Sequence, residues 1–308
     1  MKVETMKFVF RGLMAPVLTP YANDRSFSIQ LDIIPKYAKY LSSVGINAVL
    51  VNGTSGEGMS MTVDERKATT EAWAAAVKET NQILMVQVGG ACLKDVQEMA
   101  AHAERLGVDG LLCLPELFNK PATVDQLVEY LKYVGQAAPK TPLLYYHIPS
   151  YTGVKVSMPQ FLATAACNIP TFAGAKYTDS NLEEGTRCLE VKSETLGLFL
   201  GCDHVLAGAF ALGFDSAVAT SLNMLPRANI KILEAMRNNH PSEALQEQRK
   251  LSQAINVITR NGGWVSTMKA AMSLMTSIHV GPPRPPLIPL SDEQIGVLKE
   301  DLAALELM

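Results

Sequence analysis

The sequence predicts an α/β fold, a (β/α)8 TIM barrel with a C-terminal helical extension. Two patterns lead there. A short, β-branched apolar run, a polar or glycine-containing turn and a longer stretch of helical periodicity recur as a unit eight times across residues 1–225. After Asn223 the strand signal stops and helical periodicity alone continues. Strands alternating with helices imply a parallel sheet, and eight such units match a closed barrel. An open, doubly wound sheet is the rival architecture, weakened because no Gly-x-Gly-x-x-Gly follows the first strand.

Taken in order, the strand candidates are Gly12–Leu18, Ala48–Asn52, Ile83–Val88, Gly110–Leu114, Pro142–His147, Phe172–Lys176, Leu198–Gly201 and Ser216–Ala219. Each is brief and apolar on both faces, the pattern of a parallel strand covered on two sides. Amphipathic stretches lie between them. In Val63–Thr80 the residues Val63, Lys67, Thr70, Trp73, Ala74 and Val77 divide into polar and apolar faces at helical spacing, and Leu93–Leu106 and Thr123–Ala138 behave alike. Beyond the strands, Arg227–Arg260, Gly263–Ile278 and Ser291–Leu307 read as helices. The chain thus divides into a barrel over 1–225, with its site at the carboxyl ends of the strands, and a helical extension over 226–308 packed on it. The segment Gly281-Pro-Pro-Arg-Pro-Pro-Leu-Ile-Pro289 is a rigid, extended connector within that extension, favoured over a proline-rich ligand for a partner domain.

Composition narrows the function classes. With 48% hydrophobic and 19% charged residues the chain is that of an ordinary globular protein with ample material for a core. A net charge of -3 gives no basic surface to displace counterions from a phosphate backbone, so nucleic acid is not the expected partner. Cys92, Cys113, Cys167, Cys188 and Cys202 are odd in number, widely spaced and free of any Cys-x-x-Cys pair, which fits a reducing cytoplasm better than a disulfide framework. The first residues lack the apolar stretch of a secretory leader, and the apolar runs are too short to span a bilayer. A cytoplasmic protein without membrane contact is expected. The five histidines are scattered and form no metal-binding pattern, so no metal is expected either.

In such a barrel, chemistry belongs to the last residues of each strand and the loop that follows. That filter leaves Thr54 and Ser55, Tyr146 and His147, Lys176, Asp203 and His204, and Thr220. Lys176 emerges from the apolar run Phe172–Ala175 into the expected barrel mouth. A poorly solvated lysine there loses preference for its charged form and can attack a ketone as a free amine. Position alone equally allows a side chain reaching out to solvent or pairing with Asp179. The segment Val51-Asn-Gly-Thr-Ser-Gly-Glu-Gly58 sets two hydroxyls among glycines whose exposed N–H groups suit an anion such as a carboxylate, although a plain glycine turn is as good a reading of the segment alone. Glu57 cannot bind an anion and is expected to cap or orient the loop. Alternation along the fifth strand sends one of Tyr145 and Tyr146 into the barrel; if that is Tyr146, its phenol can relay a proton, and if both rings only pack, it does not. A serine hydrolase is disfavoured because Ser55 lacks the Gly-x-Ser-x-Gly frame.

Together these segments are more specific than any of them singly. The chain resembles the N-acetylneuraminate lyase and dihydrodipicolinate synthase superfamily of pyruvate-dependent class I aldolases. The resemblance runs from about Gly12 to Leu307 and is carried by Gly53-Thr-Ser-Gly-Glu57, Tyr146-x-x-Pro149, Gly174-x-Lys176 and Gly201-x-Asp203. Within the superfamily, Val51-Asn-Gly-Thr, Tyr145-Tyr-His-Ile-Pro149, Thr152-Gly-Val-Lys155 and Gly281-Pro-Pro-Arg284 are similar to the animal-type N-acetylneuraminate lyases.

The resemblance implies a Schiff base between Lys176 and the substrate ketone, with Tyr146 as proton shuttle and Thr54 and Ser55 holding the pyruvyl carboxylate. It also implies Thr178 beside the pyruvyl end, Gly201 where the sugar tail approaches the backbone, Asp203 and His204 at the tail hydroxyls, and Thr220 in the pocket. The implied reaction is reversible cleavage of N-acetylneuraminate to pyruvate and N-acetylmannosamine, with no cofactor beyond the covalent imine, in a homotetramer. A pyruvate aldolase for another 2-keto-3-deoxy sugar acid and a non-catalytic barrel that retains pyruvate binding are the alternatives. The synthase branch places an arginine two residues after the proline of Tyr-x-x-Pro, where this chain has Tyr151. Departures from the lyase pattern are His204 in place of an acidic residue, Ala219-Thr-Ser-Leu-Asn223 in place of Gly-Ser-Thr-Tyr-Asn, and Tyr151 in place of a small or aliphatic residue. Pro115-Glu-Leu-Phe118 lacks the tyrosine that some microbial relatives extend into a neighbouring subunit.

Overall fold

The computed structural model describes residues 6–191 and 195–308. Eight strands are joined in sequence order as a closed barrel: β1 Leu13–Pro16, β2 Ala48–Val51, β3 Ile83–Gln87, β4 Gly110–Cys113, β5 Leu143–His147, β6 Phe172–Tyr177, β7 Gly197–Leu200 and β8 Ser216–Val218. Every pairing is parallel, including the closure of β8 on β1. The helices between them are α1 Ile34–Ser43, α2 Val63–Thr80, α3 Leu93–Leu106, α4 Val124–Ala137, the single turn α5 Pro149–Thr152, α6 Met158–Asn168, α7 Leu182–Val191 and α8 Leu206–Ala211.

Alternation along the strands builds two apolar layers. Met14, Ala48, Leu50, Met85, Leu112, Leu144 and Phe199 fill the barrel interior, and Phe8 joins them. Val49, Val51, Leu84, Leu111, Leu143 and Leu198 face outward against the helices. Thr62 and Thr123 each accept from the third N–H of the helix they open, while the Glu65 or Gln126 side chain returns to the cap's own N–H. These reciprocal caps fix where α2 and α4 begin relative to the preceding loops.

One strand breaks the alternation. Leu143 pairs with Phe172 but Leu144 pairs with Gly174, so β6 carries one extra residue opposite β5. Ala173 faces the interior; after the slip Ala175 faces outward, so that Lys176 falls opposite the inward Tyr146. Without the slip, strict alternation from Ala173 would turn Lys176 toward the helices. Gly174 makes it possible: its φ is +137°, and a Cβ there would lie 1.9 Å from the Gly197 carbonyl oxygen.

Past β8 come α9 Pro226–Arg237, α10 Pro241–Thr259, α11 Trp264–Met275 and α12 Asp292–Ala304. The single helix expected over Arg227–Arg260 is therefore two. Asn239 takes a left-handed φ of 59°, and Pro241, which has no N–H to donate, opens α10 at its first position. The α10 helix packs against α8, α9, α11 and α12. Among the described residues no helix is long and apolar enough to cross a membrane.

Candidate active site

The carboxyl ends of β2, β5, β6, β7 and β8 converge on one mouth. Lys176 and Tyr146 are register partners on adjacent strands, so their side chains rise side by side on the inner face. The Lys176 Nζ donates to the Tyr146 hydroxyl at 3.0 Å and lies 4.1 Å from its ring centroid. Lys176 is 5% exposed. The Tyr146 hydroxyl also meets Thr54 Oγ1 at 3.1 Å, completing a chain from amine to phenol to the loop after β2. Asp179 forms no ion pair with Lys176 among the described contacts; its carboxylate accepts from the Asn181 N–H at 2.9 Å.

Tyr145 points the other way and packs on Phe161 with ring centroids 4.8 Å apart. Burial holds its phenol well above the usual range, unlike a group that exchanges protons. His147 also faces outward, stacked on Tyr177 at 5.2 Å, with its Nδ1 buried and without a hydrogen-bond partner. Burial pulls its imidazolium below the ordinary value, against the opposing pull of Glu184 and Asp179.

A second polar chain crosses the mouth. Ser55 Oγ and Thr220 Oγ1 are 2.7 Å apart, and the Trp264 indole N–H donates to Thr220 Oγ1 at 3.4 Å. Trp264 lies beyond the reach of strand-end reasoning, since it opens a helix outside the barrel; the glycine pair before it is the local signal. Thr178 sits against Gly201, where an added Cβ would lie 2.0 Å from the Thr178 Oγ1. The side of Gly201 on which a Cβ would stand is thus taken by the threonine, whose hydroxyl is buried without a partner. Asp203 is buried, its Oδ1 accepting from the Ser221 N–H at 2.8 Å, whereas His204 is exposed on the same turn. The structure therefore joins Lys176, Tyr146 and Thr54 in one chain and Ser55 and Thr220 in another. It leaves His204 at the rim.

Glu57 orients the loop after β2. It adopts a left-handed φ of 53°, and its Oε1 accepts from Lys269 Nζ at 2.7 Å while Oε2 accepts from the Arg284 N–H at 2.8 Å. Both members of the Glu57–Lys269 pair are 1% exposed. Burial lowers the Lys269 ammonium to about 8, outweighing the attraction of the carboxylate. Arg284, from the proline-rich connector, forks onto the Glu65 carboxylate and covers the Tyr21 ring at 4.4 Å. Among the described residues, no group of three or more His, Cys, Asp or Glu is placed to hold a metal ion.

Chemically, a shielded amine within hydrogen-bond reach of a phenol, flanked by hydroxyls and glycine N–H groups, is an arrangement for imine formation with an oxo acid. The chain is 36% identical to the N-acetylneuraminate lyase of Homo sapiens over 300 residues, covering 97% of this chain and 93% of that one. In three dimensions it superposes on the Proteus mirabilis N-acetylneuraminate lyase with a TM-score of 0.91 at 31% identity, covering 97% and 99% of the two chains. The N-acetylneuraminate lyase (sialic acid aldolase) of Aliivibrio salmonicida gives 0.91 at 33% identity, covering 97% and 98%. Residues 9–305 match the dihydrodipicolinate synthetase family, and with barrel, lysine and loop in place the chain belongs to that family.

Proposed function

We propose that this protein is a class I aldolase that reversibly cleaves N-acetylneuraminate to pyruvate and N-acetylmannosamine through an imine on Lys176. The observation that carries the proposal is the hydrogen-bonded chain from Lys176 through Tyr146 to Thr54 at the barrel mouth. The amine attacks the C2 ketone of the open-chain acid, and Tyr146 protonates the leaving hydroxyl as water departs. With the protonated imine as electron sink, Tyr146 takes the proton of the C4 hydroxyl. The C3–C4 electron pair then forms the enamine, and the aldehyde sugar leaves. Protonation of C3 and hydrolysis return pyruvate and the free amine.

Thr54 and Ser55, with the glycine N–H groups around them, hold the pyruvyl carboxylate in this reading. Thr178 flanks the pyruvyl end, Gly201, Asp203 and His204 serve the sugar tail, and Thr220 steadies Ser55. The barrel over 1–225 is the catalytic unit and the helices over 226–308 its support. A homotetramer in the cytoplasm belongs to the same proposal and rests on the resemblance and on cysteine usage; sedimentation of the purified protein tests the assembly.

One observation favours a second reading. His204 at the exposed rim offers a donor where an acidic side chain offers only acceptors, which suits a different tail on the 2-keto-3-deoxy acid. The test covers both. Pyruvate release from N-acetylneuraminate and from other 2-keto-3-deoxy acids is coupled to NADH oxidation, and pyruvate is trapped on the enzyme with borohydride before peptide mass mapping. Adduct mass on the Lys176 peptide with fastest turnover of N-acetylneuraminate supports the first reading. Faster turnover of another acid supports the second. No adduct on that peptide refutes both.

A further inference from the structure

We infer that Gln248, on α10 outside the barrel, is a positioning residue that sets the sugar-tail side of the site. The inference rests on the proposed activity and extends it to a residue that no strand end supplies. Gln248 is 7% exposed, and its amide engages both ends of the turn after β7. Its Nε2 donates to the Asp203 carbonyl at 3.1 Å, and its Oε1 accepts from the Ala207 N–H at 3.0 Å.

The second bond supplies a cap that α8 lacks locally. The first N–H groups of a helix have no intrahelical acceptor, and Val205 at the cap position offers no side-chain oxygen. A glutamine from a different helix provides it. Ser252, one turn further along α10, accepts from the same Nε2 at 3.1 Å, and because the Asp203 carbonyl only accepts and the Ala207 N–H only donates, those two partners fix which way the amide points.

Asp203 is thereby held from two sides. Its carbonyl is tied to Gln248, and its carboxylate oxygen Oδ1 to the Ser221 N–H after β8. Gly201 and His204 belong to the same short turn, so their positions follow from the same two attachments. Lys176 and Tyr146 are set by strand register instead, and Thr54 by the loop after β2 that Glu57 ties to Lys269 and Arg284; among the described residues none of the three bonds to Gln248. The geometry therefore separates two halves of the site: the pyruvyl half is fixed by strand register and by the Glu57–Lys269 anchor, and the tail half by Gln248 on α10 together with the Ser221 N–H.

The experiment compares wild type, Gln248→Leu, which loses both bonds, and Gln248→Glu, which keeps the acceptor for Ala207 but cannot donate to the Asp203 carbonyl. For each, kcat and KM are measured on N-acetylneuraminate and on a shorter 2-keto-3-deoxy acid, with the pyruvate concentration that half-saturates borohydride trapping. Loss of one or two buried hydrogen bonds raises KM for the long acid by about five- to tenfold in the leucine variant and less in the glutamate variant. The short acid's KM and the pyruvate half-saturation stay at wild-type values. Equal effects on long and short acids, a shifted pyruvate half-saturation, or an unchanged KM in both variants with only a lower Tm would overturn the inference. Should the leucine variant not fold, the glutamate variant alone decides by the same split. A wild type that traps pyruvate but releases none from the long acid refutes the proposed substrate, an outcome separate from an active wild type whose Gln248 variants are indifferent.

Discussion

Lys176 and Tyr146 are cross-strand register partners on β6 and β5, and the amine of one donates to the phenol of the other at 3.0 Å. Two groups so placed are held by backbone pairing and not by loop conformation, so removing either function leaves the frame intact. Lys176→Arg keeps a cation that remains protonated and cannot form the imine, and cleavage should fall by on the order of 10³-fold or more with no borohydride adduct. Tyr146→Phe keeps the ring and removes the proton carrier; kcat should fall about 10²- to 10⁴-fold while adduct with pyruvate still forms slowly. Residual wild-type turnover in Lys176→Arg would end the imine mechanism.

The inward aim of Lys176 depends on Gly174. An added methyl would lie 1.9 Å from the Gly197 carbonyl oxygen, so Gly174→Ala must push β6 from β7 or abolish the extra residue. Either outcome turns the amine from Tyr146. Activity should be lost together with a clear drop in Tm. A folded, active Gly174→Ala protein would show that the slip between β5 and β6 does not aim the lysine.

These two residues also mark how far the sequence is legible. Eight strands are readable because parallel strands buried on both faces are apolar throughout, and no turn chemistry has to be guessed. The motifs around Thr54, Tyr146 and Lys176 are readable because they lie at strand ends. The parity of Lys176 is not, since a one-residue slip is decided by how β6 meets two neighbouring strands; a glycine inside a strand is its only local trace. Still less visible are the partners of loops. Glu57 meets Lys269 across 212 residues, and Asp203 meets Gln248 across 45. Such pairs follow from how the extension packs on the barrel, which periodicity does not encode. The break between α9 and α10 has a local signal in Pro241, masked by the periodicity that resumes beyond it.

His204 offers a direct test of tail preference. His204→Glu replaces a donor-capable ring with a carboxylate at an exposed position, where folding is little affected. In the proposed reading kcat/KM for the long sugar acid should rise relative to the short one by about three- to tenfold, the range of one added hydrogen bond. An unchanged ratio would remove His204 from tail recognition.

The buried His147 makes stability sensitive to acid. Its folded value lies below the ordinary 6.5 because burial disfavours the imidazolium. Between the folded value and 6.5 the unfolded chain therefore binds a proton that the native chain does not. The contribution is fully present above 6.5 and is lost as pH falls toward the folded value, with a slope of at most about 1.4 kcal/mol per pH unit. Urea titrations from pH 7.5 downward should show this decline in wild type and a shallower one in His147→Gln. Parallel curves for the two proteins would assign the acid sensitivity elsewhere.

The Glu57–Lys269 pair predicts a non-additive pattern. Both groups are 1% exposed, so removing one leaves the other charged, dry and without its counterion. Lys269→Met alone should cost about 3–5 kcal/mol in urea unfolding, whereas Glu57→Gln combined with Lys269→Met should cost less than that single change, because no uncompensated charge remains. The same pair ties the Thr54–Ser55 loop to α11, so the single variant should also raise the pyruvate concentration needed for half-maximal trapping, while Lys176 and Tyr146 keep their register. A double variant that loses the sum of the two single losses would mean that the carboxylate and the ammonium act independently. The loop after β2 would then be held by its glycines and by the Arg284 N–H, with no electrostatic anchor in the extension.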